Sequence, residues 1–167
     1  MVIEHFKRNG WNFQADATRS MLHAFFQLRN GAVRCIVGVD PSDDFIQVAI
    51  LLPVAVPAER RSPAGELCVR LSSTLKMGRF DLNYQNGELR FNASCPYPKG
   101  ELKDEVIRRV IGVSLATVEQ QFLAFAATLY ANALPAVAVA QLQAKPAADA
   151  SPAVLAPLHA HSRLNLN

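Results

Sequence analysis

The spacing of hydrophobic residues changes several times along the chain, and each change predicts a different element. Apolar and polar residues alternate over residues 21–28, 32–39 and 45–52, which predicts three antiparallel strands with one wet face each. Asn30-Gly31 predicts the first turn, because both residues tolerate a positive φ. A helix over residues 18–28 is the alternative, and the Asn-Gly turn favours the strand. The sequence therefore predicts a three-stranded meander.

The segment from Val56 to Ala93 predicts one helix followed by one hairpin. Ser62-Pro63 is typical of a helix start, with serine as the cap and proline at the first helical position. Apolar residues then recur at steps of three and four, and Gly78 is the predicted end of the helix. These stripe residues are Leu67, Cys68, Leu71 and Leu75. Asn86-Gly87 predicts the turn of the hairpin, so helix and hairpin can cover each other's apolar faces.

The remaining segments predict helices at both ends of the domain. A short helix over residues 2–9 precedes Trp11 and Phe13, which we expect to fill one end of the core. Residues 16–20 are polar and indicate a turn. A long helix is expected from Glu101 to about residue 131, followed by a short one from Pro135 to about residue 143. We therefore expect residues 1–144 to form one α+β domain, and residues 145–167, rich in alanine and proline, predict a disordered tail.

The long helix has an unusually broad apolar face. Two neighbouring stripes lie on it: Leu102, Val106, Val110 and Val113, and then Ile107, Ile111, Leu115, Val118 and Phe122. This breadth indicates deep burial or burial from two sides, as at a subunit contact. The uncharged run between Glu119 and Lys145 is long enough to span a bilayer. Its alanine content and Pro135 favour a buried helix followed by a weak one, so no membrane association is expected.

Composition and charge narrow the class of protein. Half of the 167 residues are hydrophobic and 19% are charged, as in an ordinary soluble domain. The net charge of +3 is small and its basic pairs are scattered, which argues against nucleic acid as a partner. The first residues contain no apolar run typical of a secretory signal, and three cysteines do not form a paired framework. We therefore expect a cytoplasmic protein.

Residues that could carry chemistry lack the spacing that chemistry requires. The candidates are the acids Asp40, Asp43 and Asp44, the cysteines Cys35, Cys68 and Cys95, and the histidines His5, His23, His159 and His161. The acids lack the alternating ligands, turn glycine and terminal glutamate of a calcium loop. Two of the cysteines lie on predicted core faces, and no histidine has metal-ligand spacing. A phosphate loop and a dinucleotide fingerprint are absent from the sequence. We predict no catalytic, metal or cofactor site, and no enzyme.

Short motifs in a fixed order resemble the YbjN family, described as bacterial sensory transduction regulators. The motifs are Gly10-Trp11-Asn12-Phe13, Val56-Pro57, Arg70-Leu71, Gly78-Arg79-Phe80-Asp81-Leu82, Gly87-Glu88-Leu89-Arg90-Phe91 and Val113-Ser114-Leu115-Ala116-Thr117. The resemblance covers residues 11–125. It implies a fold similar to type III secretion chaperones: helix, three strands, helix, two strands, helix.

The chain also departs from the family pattern. The family commonly has an asparagine after the Arg-Leu pair of the second helix, where this chain has Ser72. A tyrosine and a proline are common late in the third helix, where this chain has Gln121 and Phe122. The third helix is therefore expected to run longer than is usual in the family.

The resemblance implies a non-enzymatic module that binds a protein or peptide and acts as a homodimer. By analogy with the chaperones, we expect the dimer or partner surface on the second helix and the first strand of the hairpin. Its candidate residues are Val69, Ser72, Ser73, Lys76, Arg79 and Asp81. The alternative is a small-molecule sensor or enzyme with a pocket between the meander and the helices.

Overall fold

A computed structural model describes residues 1–40 and 42–144 of the chain. In this part, six strands and four α-helices are present. The strands are β1 Phe13–Asp16, β2 Met21–Leu28, β3 Gly31–Asp40, β4 Phe45–Ala55, β5 Arg79–Leu82 and β6 Glu88–Pro96. The helices are α1 Val2–Arg8, α2 Arg61–Ser72, α3 Asp104–Tyr130 and α4 Pro135–Ala144. The predicted α+β class and the broad order of elements are confirmed, whereas the predicted tail lies outside the described residues.

The strands form one antiparallel sheet in the order β1-β2-β3-β4-β6-β5, and its two faces differ in character. Alternate residues of β2, β3, β4 and β6 are buried, as the alternation of the sequence predicts. Helix α3 packs on β4 and β6, and α2 packs on β5. Phe80 of β5 lies between Phe91 and Phe125, with ring centroids 5.0 Å from each. The core therefore lies on one face of the sheet, and the other face is open.

Strand β1 corrects the prediction of five strands. Residues Phe13–Asp16 pair in register with Ala24–Met21 of β2, so the chain turns only after Asp16. Four residues are too short for alternation to be recognised in the sequence. The pairing depends on the backbone groups at the edge of β2, which a pattern of side chains does not report.

Helix α2 begins and ends at positions that differ from the prediction. It begins at Arg61, after a 3-10 turn at Ala58–Arg60, and no side chain caps it, so Ser62 is not the cap. The Arg61 guanidinium instead donates hydrogen bonds to the carbonyl oxygens of Val56 and Tyr84. The helix ends at Ser72, six residues before Gly78, so Leu75 lies in the loop after it.

Gly78 belongs to the turn that leads into β5. Its φ is +80°, and a Cβ atom placed there would collide with the ring of Phe91 and lie 2.8 Å from the carbonyl oxygen of Asn92. Position 78 thus requires a positive φ and the absence of a Cβ atom. Only glycine meets both requirements without strain, since other L-residues are disfavoured at this φ and carry a Cβ atom.

A buried histidine ties α1 to the beginning of α3. His5 is 1% exposed, and its Nδ1 atom donates a hydrogen bond of 2.7 Å to Oδ1 of Asp104. Arg8 donates to the same oxygen atom at 2.5 Å, and Asn9 donates to the carbonyl oxygen of His5 at 2.8 Å. The hydrogen bond from His5 lowers the pKa of Asp104, and the positive charges of neighbouring arginines act in the same direction. The sequence did not predict this contact, because 99 residues separate the partners.

Gly78→Ala should destabilise the protein by about 1–3 kcal/mol, because it adds backbone strain and a collision with Phe91. Gly100→Ala is the matched control, since Gly100 has a φ of +73° but a Cβ atom added there would meet no other atom within 4 Å. The control isolates the strain and should cost about 1 kcal/mol. Urea denaturation measures both variants, and equal losses would contradict the role of the Phe91 contact.

The Asp104 contact should make stability depend on pH in acid. Because folding lowers the pKa of Asp104, the ionised carboxylate stabilises the fold above the ordinary pKa of about 3.9. This contribution is lost as the pH falls through that value towards the lower pKa of the folded state. The stability difference between the wild type and Asp104→Asn, measured by urea denaturation, should therefore shrink below about pH 4. Glu105→Gln, a change of the exposed neighbouring carboxylate, is the control, and an identical pH profile for the two variants would refute the assignment.

Candidate functional site

A groove of about 540 Å³ crosses the open face of the sheet. The residues that line it come from five strands and from the turn before β5: Met21, Ile36, Gly38, Gln47, Val48, Ala49, Gly78, Arg79, Asn92, Ala93 and Ser94. No helix of the described chain covers this face, because α2 and α3 pack on the opposite one.

The groove lies where three short residues, Gly38, Ala49 and Ser94, alternate with longer ones in two adjacent cross-strand rows. In one row Gly38 pairs with Gln47, which pairs with Ser94. In the next row Ile36 pairs with Ala49, which pairs with Asn92. Glycine, alanine and serine leave the floor low where a strand surface normally carries large residues. A Cβ atom at Gly38 would meet only Cγ of Met21, at 3.9 Å, so the space above Gly38 is free.

The two ends of the groove differ in chemistry. Met21, which is 38% exposed, supplies an apolar wall at the β2 end. At the β5 end, Nε of Arg79 lies 3.1 Å from Oδ1 of Asp81, and the amide of Asn92 donates to Oδ2 of Asp81 at 2.5 Å. The carboxylate thereby holds both Arg79 and Asn92 at the mouth of the groove.

The structure separates the six residues that the sequence proposes for a dimer or partner surface. Arg79 and Asp81 lie on the open face of β5, at the end of the groove. Val69, 71% exposed, lies on the solvent side of α2, and Ser73 and Lys76 are exposed at or just beyond the end of that helix. Ser72 lies between these two groups, so the six residues follow the β5 edge of the sheet rather than form one pocket.

Ser72 covers part of the exposed edge of β5. Its Oγ atom accepts a hydrogen bond of 2.9 Å from the backbone N–H of Phe80. This N–H points away from β6, so without Ser72 it would be free to pair with another strand. This contact requires a side-chain oxygen at position 72 as the acceptor. The asparagine that the family resemblance implies at this position could supply such an oxygen as well.

The floor of the groove was missed by the sequence analysis, although it left a signal. Gly38 lies between the β-branched residues Val37 and Val39, and a glycine inside a strand often marks a close approach of a ligand or another backbone. Its significance depends on Ala49 and Ser94, and only the register of the sheet places Ser94 in the same cross-strand row and Ala49 in the next one.

The alternative proposed from the sequence is a small-molecule sensor or enzyme with a pocket between the meander and the helices. The cysteines and the packing of the meander against α3 give little support to it. Burial raises the pKa of both the Cys35 and the Cys68 thiol to about 12, so neither is a thiolate at neutral pH. Where the meander meets α3, between Val33 and Val118, the packing leaves no volume for a water molecule. In the described residues, no group of three or more histidine, cysteine or acidic residues could hold a metal ion.

Helix α3 is long and apolar enough to cross a membrane, judged by length and composition alone. The same is true of core helices in soluble proteins. One face of α3 is buried against the sheet: Ile107, Ile111, Leu115, Val118 and Phe125 are at most 1% exposed. The packing of α3 thus accounts for its hydrophobic character on that face.

Ser72→Ala should destabilise the protein by about 1 kcal/mol, because the N–H of Phe80 loses its acceptor. Ser73→Ala is the matched control, since its hydroxyl group is exposed and donates to the carbonyl oxygen of Arg70, within the same helix. The control should change stability by less than about 0.5 kcal/mol. Ser72→Asn should recover most of the loss. Thermal denaturation measures all three, and equal effects of the two alanine changes would argue against the edge contact.

Comparison with known proteins places this architecture in a family. Residues 1–127 match the family described as "YbjN: Putative bacterial sensory transduction regulator". The crystal structure of YbjN from E. coli, described as a putative transcription regulator, is similar with a TM-score of 0.53 and 13% identity. The match covers 71% of this chain and 83% of that one, and at this identity it shows the fold alone. A search of the curated proteins finds no match. On the extent of the family match, the chain belongs to the YbjN family.

Proposed function

We propose that this protein is a non-enzymatic regulatory adaptor that binds a protein or peptide partner and acts as a homodimer in the bacterial cytoplasm. Membership of a family described as sensory transduction regulators supports the regulatory part of this proposal. The chaperone-like mode of action belongs to the proposal and rests on the resemblance in the sequence. The observation that carries the binding role is the groove on the open face of the sheet.

The groove suits a short peptide segment better than a small molecule. It is an open depression that runs across several strands, whereas small-molecule pockets enclose most of the ligand surface. Met21 and Ile36 offer apolar contacts for one side chain of the peptide. Gln47, Asn92 and Arg79 offer hydrogen-bonding groups for its backbone or polar side chains.

The β5 edge extends this surface towards α2. Arg79 lines the groove and belongs also to the residues proposed from the sequence. From Arg79, exposed Lys76, Ser73 and Val69 continue the surface around the edge of the sheet. We assign these residues to the surface that binds the partner. The partner would contact the groove with one segment and the end of α2 with another.

Gly38→Val tests the groove without disturbing the fold. Valine is favoured in strands and its Cβ atom meets no close neighbour, so stability should be unchanged or rise by up to about 1 kcal/mol. A phage-displayed library of random peptides, selected on the immobilised wild type, supplies the probe. The recovered peptide is synthesised and titrated by calorimetry, and Gly38→Val should weaken its binding at least about tenfold, a loss of about 1.4 kcal/mol.

Ala32→Val is the control for this experiment, because Ala32 is an exposed residue of the same strand and is outside the groove. Binding to this variant should equal binding to the wild type. Recovery of no peptide, or equal affinities of the Gly38 and Ala32 variants, would count against the proposal. Circular dichroism of both variants separates loss of binding from loss of fold.

A further inference from the structure

Helix α3 has a second, exposed stripe opposite its buried face. After the first turn, a row of residues on this side follows alternate steps of four and three: Arg109, Val113, Ala116, Gln120, Leu123, Ala127 and Tyr130, of which Ala127 alone is half-buried. Arg108 is also exposed and lies beside the start of this row. This is the heptad spacing with which one helix packs along another. Val113, Leu123 and Tyr130 are 40%, 50% and 68% exposed, respectively. We call these seven residues the α3 stripe.

Beyond Arg109, the α3 stripe lacks the charges that a solvent-facing helix normally carries. From Val113 to Tyr130 it contains no charged residue, although this face is the one in contact with water. Glu119 is the only charged residue in this span, and its carboxylate accepts a hydrogen bond of 2.9 Å from the backbone N–H of Arg29. Beyond Tyr130, Leu134 and Val137 are 69% and 45% exposed and extend the apolar surface onto α4.

The stripe is complementary to itself in one arrangement. When two copies lie antiparallel with a two-fold axis at Gln120, large residues face small ones: Val113 faces Ala127 of the second copy, and Ala116 faces Leu123. At the ends, Arg109 faces Tyr130, a pair suited to a cation–π contact. No like charges are brought together along the stripe. A two-fold interface requires such a self-complementary patch.

We propose that the α3 stripe is the homodimer interface and that its occupant is a second copy of this chain, packed antiparallel across Gln120. The proposal deepens the proposed function, since it locates the dimer that the function includes. It also leaves the groove and the α2 end free for a partner, because the stripe lies on the side of α3 that faces away from the sheet.

The size of the stripe predicts a weak dimer. The roughly 17 residue steps from Val113 to Tyr130 span about 26 Å, and a helix is about 10 Å wide, so the stripe covers roughly 300 Å². Stable interfaces bury about 800 Å² on each partner. Leu134 and Val137 of each copy add apolar surface at the two ends of the antiparallel helix pair. We therefore expect dissociation in the micromolar range.

Disulfide trapping tests the geometry. With helix axes about 8–10 Å apart and Cα atoms about 2.3 Å from each axis, the two Gln120 Cα atoms on the two-fold axis lie roughly 3.5–5.5 Å apart, a range that overlaps that of disulfides. Gln120→Cys in a Cys95→Ala background should therefore form a cross-linked dimer under mild oxidation. Ala116→Cys is the matched control, because antiparallel packing separates its two copies by about 12 Å along the axis. Cross-linking of both variants would indicate a parallel pair, and either this result or cross-linking of neither variant would overturn the proposal.

Sedimentation velocity over about 1–100 μM tests the interface independently. Wild type should pass from monomer to dimer in this range, and Leu123→Glu should weaken the dimer at least about tenfold. Val69→Glu, a matched change of an exposed apolar residue on α2, should leave the dimer intact. A wild-type monomer at the highest concentration, or a dimer lost only in Val69→Glu, would overturn the proposal. The peptide titration of the Gly38 variant is independent of these masses, so failure of the dimer and failure of the binding function can be told apart.

Discussion

The packing of α3 along β4 and β6 is the contact on which the rest of the structure depends. A six-stranded sheet whose strands alternate must bury its apolar face, and α3 is the longest element that covers it. Phe125 of α3 joins Phe80 and Phe91, so the same contact fixes the hairpin. At its other end, α3 holds α1 through Asp104 and His5. One helix thus holds both the hairpin, near its C-terminal end, and α1, at its N-terminal end.

Covering only one face of the sheet has two consequences for function. The opposite face remains accessible to solvent, and the groove forms there because Gly38, Ala49 and Ser94 leave its floor low. The outer side of α3 is also left without a cover and carries a row of uncharged residues. A regulator that holds a partner on the sheet and a second copy on α3 would use both surfaces without competition between them.

The edges of the sheet show how local chemistry limits alternative pairing. The β5 edge is short, and Ser72 accepts the outward N–H of Phe80. The β1 edge contains four residues. Short and covered edges are common ways to avoid uncontrolled strand addition. For this reason the proposed peptide is assigned to the open face rather than to an additional strand beside β5.

The sequence by itself determined the class of fold and most elements. Alternation, Asn-Gly turns and helical stripes are local patterns, and they predicted β2, β3, β4, the hairpin and α3. Predictions from local patterns were wrong where contacts with residues far away in the sequence accompany the start or the pairing of an element. Strand β1 pairs with the edge that β2 offers, and Arg61, the first residue of α2, donates to the carbonyl oxygens of Val56 and Tyr84. Gly78 was predicted to end the second helix, and this was wrong: α2 ends at Ser72, and Phe91 and Asn92 are the neighbours that leave no room for a Cβ atom at Gly78.

The candidate site depended still more on the tertiary structure. Arg79 and Asp81 were predicted as surface residues, yet their position beside Asn92 follows from the pairing of β5 with β6. Ala49 and Ser94 are ordinary residues in the sequence, and with Gly38 they form a floor only because sheet register aligns them. The sequence determined which residues alternate between core and water, since that depends on near neighbours in the chain. The tertiary structure decided which exposed residues lie side by side, because this depends on contacts between residues far apart in the sequence.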